Sequence, residues 1–302
     1  MRVVKLGQTG ISVSRLGIGT GTAHPSGHCH QSLMSEQALA DLLLYGFERG
    51  ITFWDTAEQY RTYRHIRCAL KQISRQQVAI STKLIVSSAV EAEEGIIAAL
   101  REINTDYIDV CLLHAVRTRS ELQRCEGALE KMVRLKEKGF IRAVGVSCHG
   151  VSALEAALEF SEIEALWCRI NHAGRHMDRH LSLIDRLATV PLIKKRAKNL
   201  PAWCIARLRP AEEPPISADE RRRIETLLQQ LHAGGKGLVG MKIMAQGHLA
   251  SDPGAAVNYA AGCTFLDSFI IGMLNRSEID VNCRALEQSE SSFGTLVSEV
   301  KS

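Results

Sequence analysis

Eight short apolar runs, most of them separated by helix-patterned segments, constrain this chain more than any other feature. The runs are residues 15–19, 51–55, 78–83, 107–114, 141–147, 164–171, 238–243 and 265–272. Helical periodicity fills segments such as 36–49, 90–100, 122–138 and 152–160, and Gly50 and Gly139 stand where a helix must end before the next run. Alternation of this kind, at about 30 residues per unit, argues for parallel βαβ units. Eight such units suit a closed (β/α)8 TIM barrel better than an open sheet. The expectation is one α/β barrel domain spanning residues 1–302. A β-hairpin precedes it: Val3-Val4-Lys5-Leu6 is strand-like, residues 7–10 supply a turn, and Ile11-Ser12-Val13 alternates again.

One interval breaks the rhythm. Between Asn171 and Leu238 lie far more residues than one helix needs. Residues 217–232 read as the helix of that unit, with Ser217 as N-cap and Glu220 completing a capping box. Residues 172–216 are then an insertion, carrying Lys194, Lys195, Arg196, Lys198, Arg207 and Arg209 and a proline-rich stretch at 210–215. It reads either as a solvated excursion or as a lid or partner surface.

Composition bounds the function. The hydrophobic share is 45% and the formal charge +4, so a full core is available and disorder is not expected. No basic run points to nucleic acid. No stretch of about 18 apolar residues points to a membrane. The nine cysteines form no CxxC pair and the first residues carry no apolar signal core, which suits reduced thiols in a cytoplasm.

Barrel enzymes place their chemistry where strands end and βα loops begin. The second run ends in Asp55, the third in Lys83 and the fourth in His114. One such residue reads as easily as a salt bridge at the edge of the core. Three consecutive strand ends converge on one mouth. Tyr60 follows Asp55 by five residues, close enough to fold back over that mouth. Carbonyl reduction needs this set: as hydride reaches carbon, the oxygen must gain a proton. A phenol is a weak acid with a reference pKa of about 10, and a neighbouring ammonium eases its proton release. Lys83 can supply that charge, Asp55 can fix Lys83, and His114 can orient the carbonyl oxygen.

Asp-Thr-Ala-x-x-Tyr followed by a strand-end lysine and a strand-end histidine resembles the tetrad of the aldo-keto reductases. The flanks KLGQTGISVSRLGIGTGT, DYIDVCLLHAV, KGFIRAVGVSCHG and DSFIIGMLNRSEIDVNCRAL resemble that family too, and together they span almost the whole chain. The resemblance implies Asp55, Tyr60, Lys83 and His114 as the catalytic set and a nicotinamide cofactor. It places Gly19, Thr20 and Gly21 near the nicotinamide ribose and Ser147 on the carboxamide, with Asn171 as a further polar group. It places Gly272, Met273, Leu274, Asn275 and Arg276 at the phosphates and Asn282 at the adenine. Cys148, Trp167 and Met241-Lys242 stand where the family often has Asn, Gln and a stacking Tyr. A glycine loop leading into a helix N-terminus suits phosphate. NADP is the expected cofactor and NAD stays open, because Glu278 repels a 2′-phosphate whereas Arg276 attracts one.

His24, His28, Cys29 and His30 cluster after the first run in a spacing that matches no common zinc pattern, so no metal is expected. His149, His172, His176 and His180 either rim the mouth or serve the structure. Trp54 is expected to point outward under a helix. The function that follows is NAD(P)H-dependent reduction of an aldehyde, ketone or sugar, with a small carbonyl compound as partner. The alternatives are a cofactor-binding regulatory or scaffolding protein with little turnover, and a barrel enzyme that uses the cofactor for elimination through transient oxidation. The oligomeric state is not legible.

Overall fold

The computed structural model describes residues 1–177 and 215–299. Strands β1 (Val3–Lys5) and β2 (Ser12–Ser14) pair antiparallel, with Val4 opposite Val13. Eight parallel strands then close a barrel: β3 (Leu16–Gly19), β4 (Phe53–Asp55), β5 (Ala79–Leu84), β6 (Ile108–Val116), β7 (Ile141–Cys148), β8 (Ala165–Arg169), β9 (Gly237–Met241) and β10 (Ser268–Gly272). The last strand pairs with the first through Gly272 and Gly19. The expected barrel and hairpin are therefore present.

The helices are α1 (Glu36–Glu48), α2 (Tyr63–Ala69), α3 (Ala89–Ile103), α4 (Arg119–Gln123), α5 (Glu126–Glu137), α6 (Val151–Ala157), α7 (Ala218–Ala233), α8 (Pro253–Gly262) and α9 (Arg276–Glu299). Their starts follow capping chemistry. Ser35 Oγ accepts from Ala38 N, and Ser88 with Glu91 forms a full capping box. The helix expected over 122–138 is divided. Thr118 caps a short α4 through Glu121 N, and α5 begins only at Glu126. At α7, Ser217 Oγ accepts from Glu220 N; among the described residues the reciprocal half of the expected box is not formed. Residues 178–214 of the expected 172–216 insertion, with its basic and proline-rich stretches and His180, lie outside the described residues. The ends of that segment adjoin: Ile216 N donates to Gly174 O at 3.0 Å.

Strand alternation sorts the side chains into two apolar layers. Trp54, Ile80, Leu113, Val144, Leu166 and Ile271 face the helices in the larger cluster, so Trp54 points outward as expected. Phe53, Ala79, Val110, Leu112, Trp167 and Val239 fill the barrel, and Leu6, Ile11 and Val13 of the hairpin close its floor. One irregularity re-aims a strand. Between Leu113 and Val116 the β6–β7 register shifts, and Ala115 takes a left-handed φ of 59°. Alternation from Val110 and Leu112 puts His114 on the interior side, and the bulge after it returns Val116 to the outer layer. Among the described residues, no helix is long and apolar enough to cross a membrane.

Candidate active site

The interior parity that carries Phe53 and Ala79 into the floor carries Asp55 and Lys83 to the mouth. Lys83 Nζ lies 2.5 Å from Asp55 Oδ2 and donates to Thr56 O at 2.9 Å. Asp55 Oδ1 accepts from Ser81 Oγ at 2.8 Å and from Trp167 Nε1 at 2.9 Å. The pair is almost fully shielded, at 1% exposure for the lysine side chain and 7% for the aspartate. Burial pulls the Lys83 ammonium below its ordinary value, against the opposing pull of Asp55.

Tyr60 ends a short turn, Glu58–Tyr60, and Arg61 beyond it turns left-handed at φ 57°. The turn rests on buried hydroxyls: Thr62 Oγ1 lies 2.8 Å from both Thr20 Oγ1 and Thr56 Oγ1. Gly21 leaves the space for the phenol ring, since a Cβ there would stand 2.3 Å from Tyr60 Cε2. The Tyr60 ring lies edge-on to His114 with centroids 5.8 Å apart, and Lys83 Nζ is 5.1 Å from the Tyr60 centroid. Burial, then the Asp55 charge, then the Cys29 thiol raise the Tyr60 phenol above its ordinary value. The easing expected from Lys83 is therefore outweighed, and the phenol stays protonated at neutral pH. All four expected catalytic residues meet at one mouth.

The expected cofactor residues divide into three groups. Gly19, Ser147, Met241 and Gly272 share the interior parity at the strand ends, and Ser147 Oγ lies 3.9 Å from Met241 Sδ. Thr20 is buried and bonds to Asp55 O, so it supports the Tyr60 loop. Asn171 crosslinks two loops: its Nδ2 donates to Arg175 O and Lys242 O, and its Oδ1 accepts from Arg175 N. Lys242 follows β9 at a left-handed φ of 61°.

At the far end, Met273 is buried and Asn275 Oδ1 caps α9 through Glu278 N at 3.0 Å. Glu278 folds back onto this cap, accepting from Leu274 N at 2.8 Å and from Asn275 Nδ2 at 2.8 Å. The Arg276 guanidinium lies over the Tyr45 ring, 4.9 Å from its centroid. Asn282 Nδ2 donates to Glu278 O, and its buried Oδ1 has no partner among the described residues.

Sequence reasoning missed Arg169, Ser81 and Thr62. Alternation along Ala165, Trp167 and Arg169 is the signal that finds the first, because it carries Arg169 to the interior of the mouth. The Arg169 guanidinium contacts His149 Nδ1, and the His149 ring is edge-on to His114 at 6.3 Å. The other histidines go elsewhere. His172 packs on Tyr259 at 6.2 Å, and His176 stacks on His248 at 5.5 Å. His24 and His30 meet edge-on at 4.6 Å in the first loop.

The model of the "Aldo/keto reductase family" matches residues 15–178. A probable aldo-keto reductase 1 of Glycine max is 30% identical over 162 residues, covering 48% of this chain and 44% of that one. An NADH-specific methylglyoxal reductase of Escherichia coli (strain K12) is 24% identical over 204 residues, covering 60% of this chain and 62% of its own. The chain thus spans about half the length of these two relatives. Among solved structures, a putative aldo-keto reductase from Pseudomonas aeruginosa superposes with a TM-score of 0.68 at 20% identity, over 95% of this chain and 94% of that one. That likeness carries the fold, and the family model spans the strands that bring Asp55, Tyr60, Lys83 and His114 together: this chain belongs to the aldo/keto reductase family.

Proposed function

We propose that this protein reduces the carbonyl group of a small molecule with a nicotinamide cofactor, and that Tyr60 delivers the proton. The observation that carries the reading is the Tyr60 ring set against both the buried Lys83–Asp55 pair and the His114 imidazole. A reduced nicotinamide supplies the hydride when bound. Tyr60 keeps its proton at neutral pH because burial disfavours the phenolate, so the donor is loaded when a carbonyl arrives. As negative charge grows on the carbonyl oxygen, the Tyr60 hydroxyl transfers its proton there. Lys83 lies 5.1 Å from the ring that then becomes negative. Asp55 holds the ammonium in that place, and His114 orients the oxygen.

The residues at the cofactor end fit a dinucleotide. Ser147 has a weak thioether contact for its hydroxyl, which leaves it available to a carboxamide. The buried Asn282 Oδ1 is an acceptor awaiting a donor, as an adenine amine would be. Glycines at 19, 21 and 272 let the side chains of Ile270, Tyr60 and Thr22 pack close against the rim. The Glu278 carboxylate at the α9 N-terminus disfavours a 2′-phosphate, and Arg276 is held on Tyr45, so NAD(H) serves at least as well as NADP(H).

The test is cofactor oxidation followed at 340 nm with a panel of aldehydes, ketones and sugars. Wild type turns over at least one of them, and Tyr60→Phe lowers kcat by at least about 10²-fold, the scale of a lost general acid. Near-normal turnover by Tyr60→Phe removes the assignment of the donor.

A further inference from the structure

We propose that Trp167 is a positioning residue for the reduction: it reaches across the barrel and holds the Asp55 carboxylate, and through it the Lys83 ammonium, in place against the Tyr60 ring. The proposal rests on the reductase reading above and adds the residue that aims its charged pair.

The donors to Asp55 come from two sides. Ser81 and Lys83 both stand on β5, the neighbour of β4, and Asp55 is level with Ser81. Trp167 stands on β8. Three strands separate β8 from β4 whichever way the closed order is followed, β5, β6 and β7 on one side and β3, β10 and β9 on the other, so the two strands face each other across the lumen. The indole nitrogen nevertheless donates to Asp55 Oδ1 at 2.9 Å. Among the described residues, every other side chain that bonds the Asp55 carboxylate belongs to β5. Trp167 is the hold from the opposite wall.

That hold is rigid. Trp167 is fully buried, and its ring meets the Phe53 ring edge-on with centroids 6.0 Å apart. Phe53 lies two residues before Asp55 on the same interior face. One strand thus supplies both the packing surface for the indole and the acceptor for its N–H. An indole nitrogen donates only, whereas the Ser81 hydroxyl rotates and also accepts. The hold on Oδ1 therefore persists when the Tyr60 ring becomes negative.

The consequence falls on Lys83, whose Nζ follows Asp55 Oδ2 at 2.5 Å. Rotation of the carboxylate about its Cβ–Cγ bond carries Oδ2, and the ammonium with it, away from the Tyr60 ring, whose centroid is 5.1 Å from Nζ. Pinning Oδ1 from across the barrel blocks that rotation. An indole that only filled space would not have to aim its nitrogen. Trp54 is such an indole: it is buried in the outer layer, and its Nε1 has no partner among the described residues.

The contact is tested by proton–nitrogen correlation spectra of protein labelled at its tryptophan indoles, with Trp54→Phe and Trp167→Phe to assign the signals. The Trp167 indole proton should lie downfield of that of Trp54 and move upfield in Asp55→Asn, while the Trp54 signal stays. A Trp167 signal indifferent to Asp55→Asn overturns the proposal. The role is tested by Trp167→benzothienylalanine, which keeps the bicyclic shape and replaces the N–H with sulfur. With cofactor saturating and the best substrate of the carbonyl panel, kcat should fall by at least about tenfold, the scale of one hydrogen bond to a charged group. KM and cofactor Kd should stay within about twofold. Trp167→Phe, which also loses packing, should lose at least as much in kcat. A normal kcat in the benzothienyl protein overturns the proposal, because Trp167 then only fills the barrel. A loss spread equally over kcat, KM and Kd also overturns it, because the whole mouth is then deformed. If wild type reduces no carbonyl, the reductase reading has failed on its own. The Tyr60 ring signals of protein labelled at its tyrosines, assigned with Tyr60→Phe, then decide: a shift in the benzothienyl protein supports the positioning, and unchanged signals overturn it.

Discussion

Asp55 takes hydrogen bonds from three side chains at once, Lys83, Ser81 and Trp167, in a place water scarcely reaches. The lysine was legible because it closes an apolar run, and the serine was not singled out. The tryptophan was unreadable as a partner: it lies 112 residues away, and an indole inside an apolar run reads as packing. Lys83→Met strips the paired positive charge from a buried carboxylate, so we expect a loss of about 3–5 kcal/mol at neutral pH. Asp55→Asn in the same background should restore most of it, and urea unfolding of the single and double variants measures both. A double variant as unstable as Lys83→Met alone would show that Asp55 is not the uncompensated charge. His149 gives a pH dependence at the same scale. Its pKa is depressed in the folded state, so below about 6.5 the unfolded chain binds the proton that the native protein refuses. Stability is complete above that pH and falls as pH drops through it, by at most about 1.4 kcal/mol per unit for this group. His149→Gln should flatten the fall in urea midpoint between pH 6.5 and 5; equal slopes in both proteins would count against a buried neutral imidazole.

Barrel strands were readable at the level of elements because each is a short apolar run bounded by polar loops. Their ends were less so. Strand β6 continues past His114 only by a bulge at Ala115, and an alanine announces no left-handed backbone. Helix α5 starts later than its periodicity suggests because Thr118 caps a separate short helix first. At α9 the sequence placed the charges but not their commitments. Glu278 is tied to Leu274 N and Asn275, and Arg276 is laid on Tyr45; on the proposed reading, in which both face the 2′ position, the balance between them tilts toward repulsion. Glu278→Gln keeps an acceptor for Leu274 N while removing the charge. It should tighten NADP(H) by at least about tenfold, near 1.4 kcal/mol, and leave NAD(H) within about twofold. Fluorescence titrations of both cofactors decide it: equal shifts would mean that the carboxylate does not face the 2′ position.

The whole molecule divides its labour between two ends of one barrel. The C-terminal mouth gathers charge and strained backbone, with left-handed residues at Arg61, Ala115 and Lys242. The floor is apolar and closed by the hairpin. Leu6 is fully buried against Gly237, and a Cβ on Gly7 would stand 2.3 Å from Gly237 N, so the hairpin seats backbone against backbone. Beside it the buried Arg15 guanidinium donates to the carbonyls of Leu266, Ala261 and Cys263, tying β3 to the turn before β10. The hairpin itself was legible from turn residues and alternation, but its role as a plug was not, because nothing local says which face of the sheet it covers. Leu6→Ala removes a large side chain from that floor and should cost about 2–5 kcal/mol, depending on how far the hairpin can settle into the space. The mouth lies at the other end of strands whose interior is packed with Phe53 and Trp167. The lost packing should therefore lower the urea midpoint while kcat and KM of the remaining folded protein stay near wild type. A variant that keeps its midpoint, or one whose KM rises as its stability falls, would show that the hairpin is not an independent plug and that floor and mouth are coupled through the barrel core.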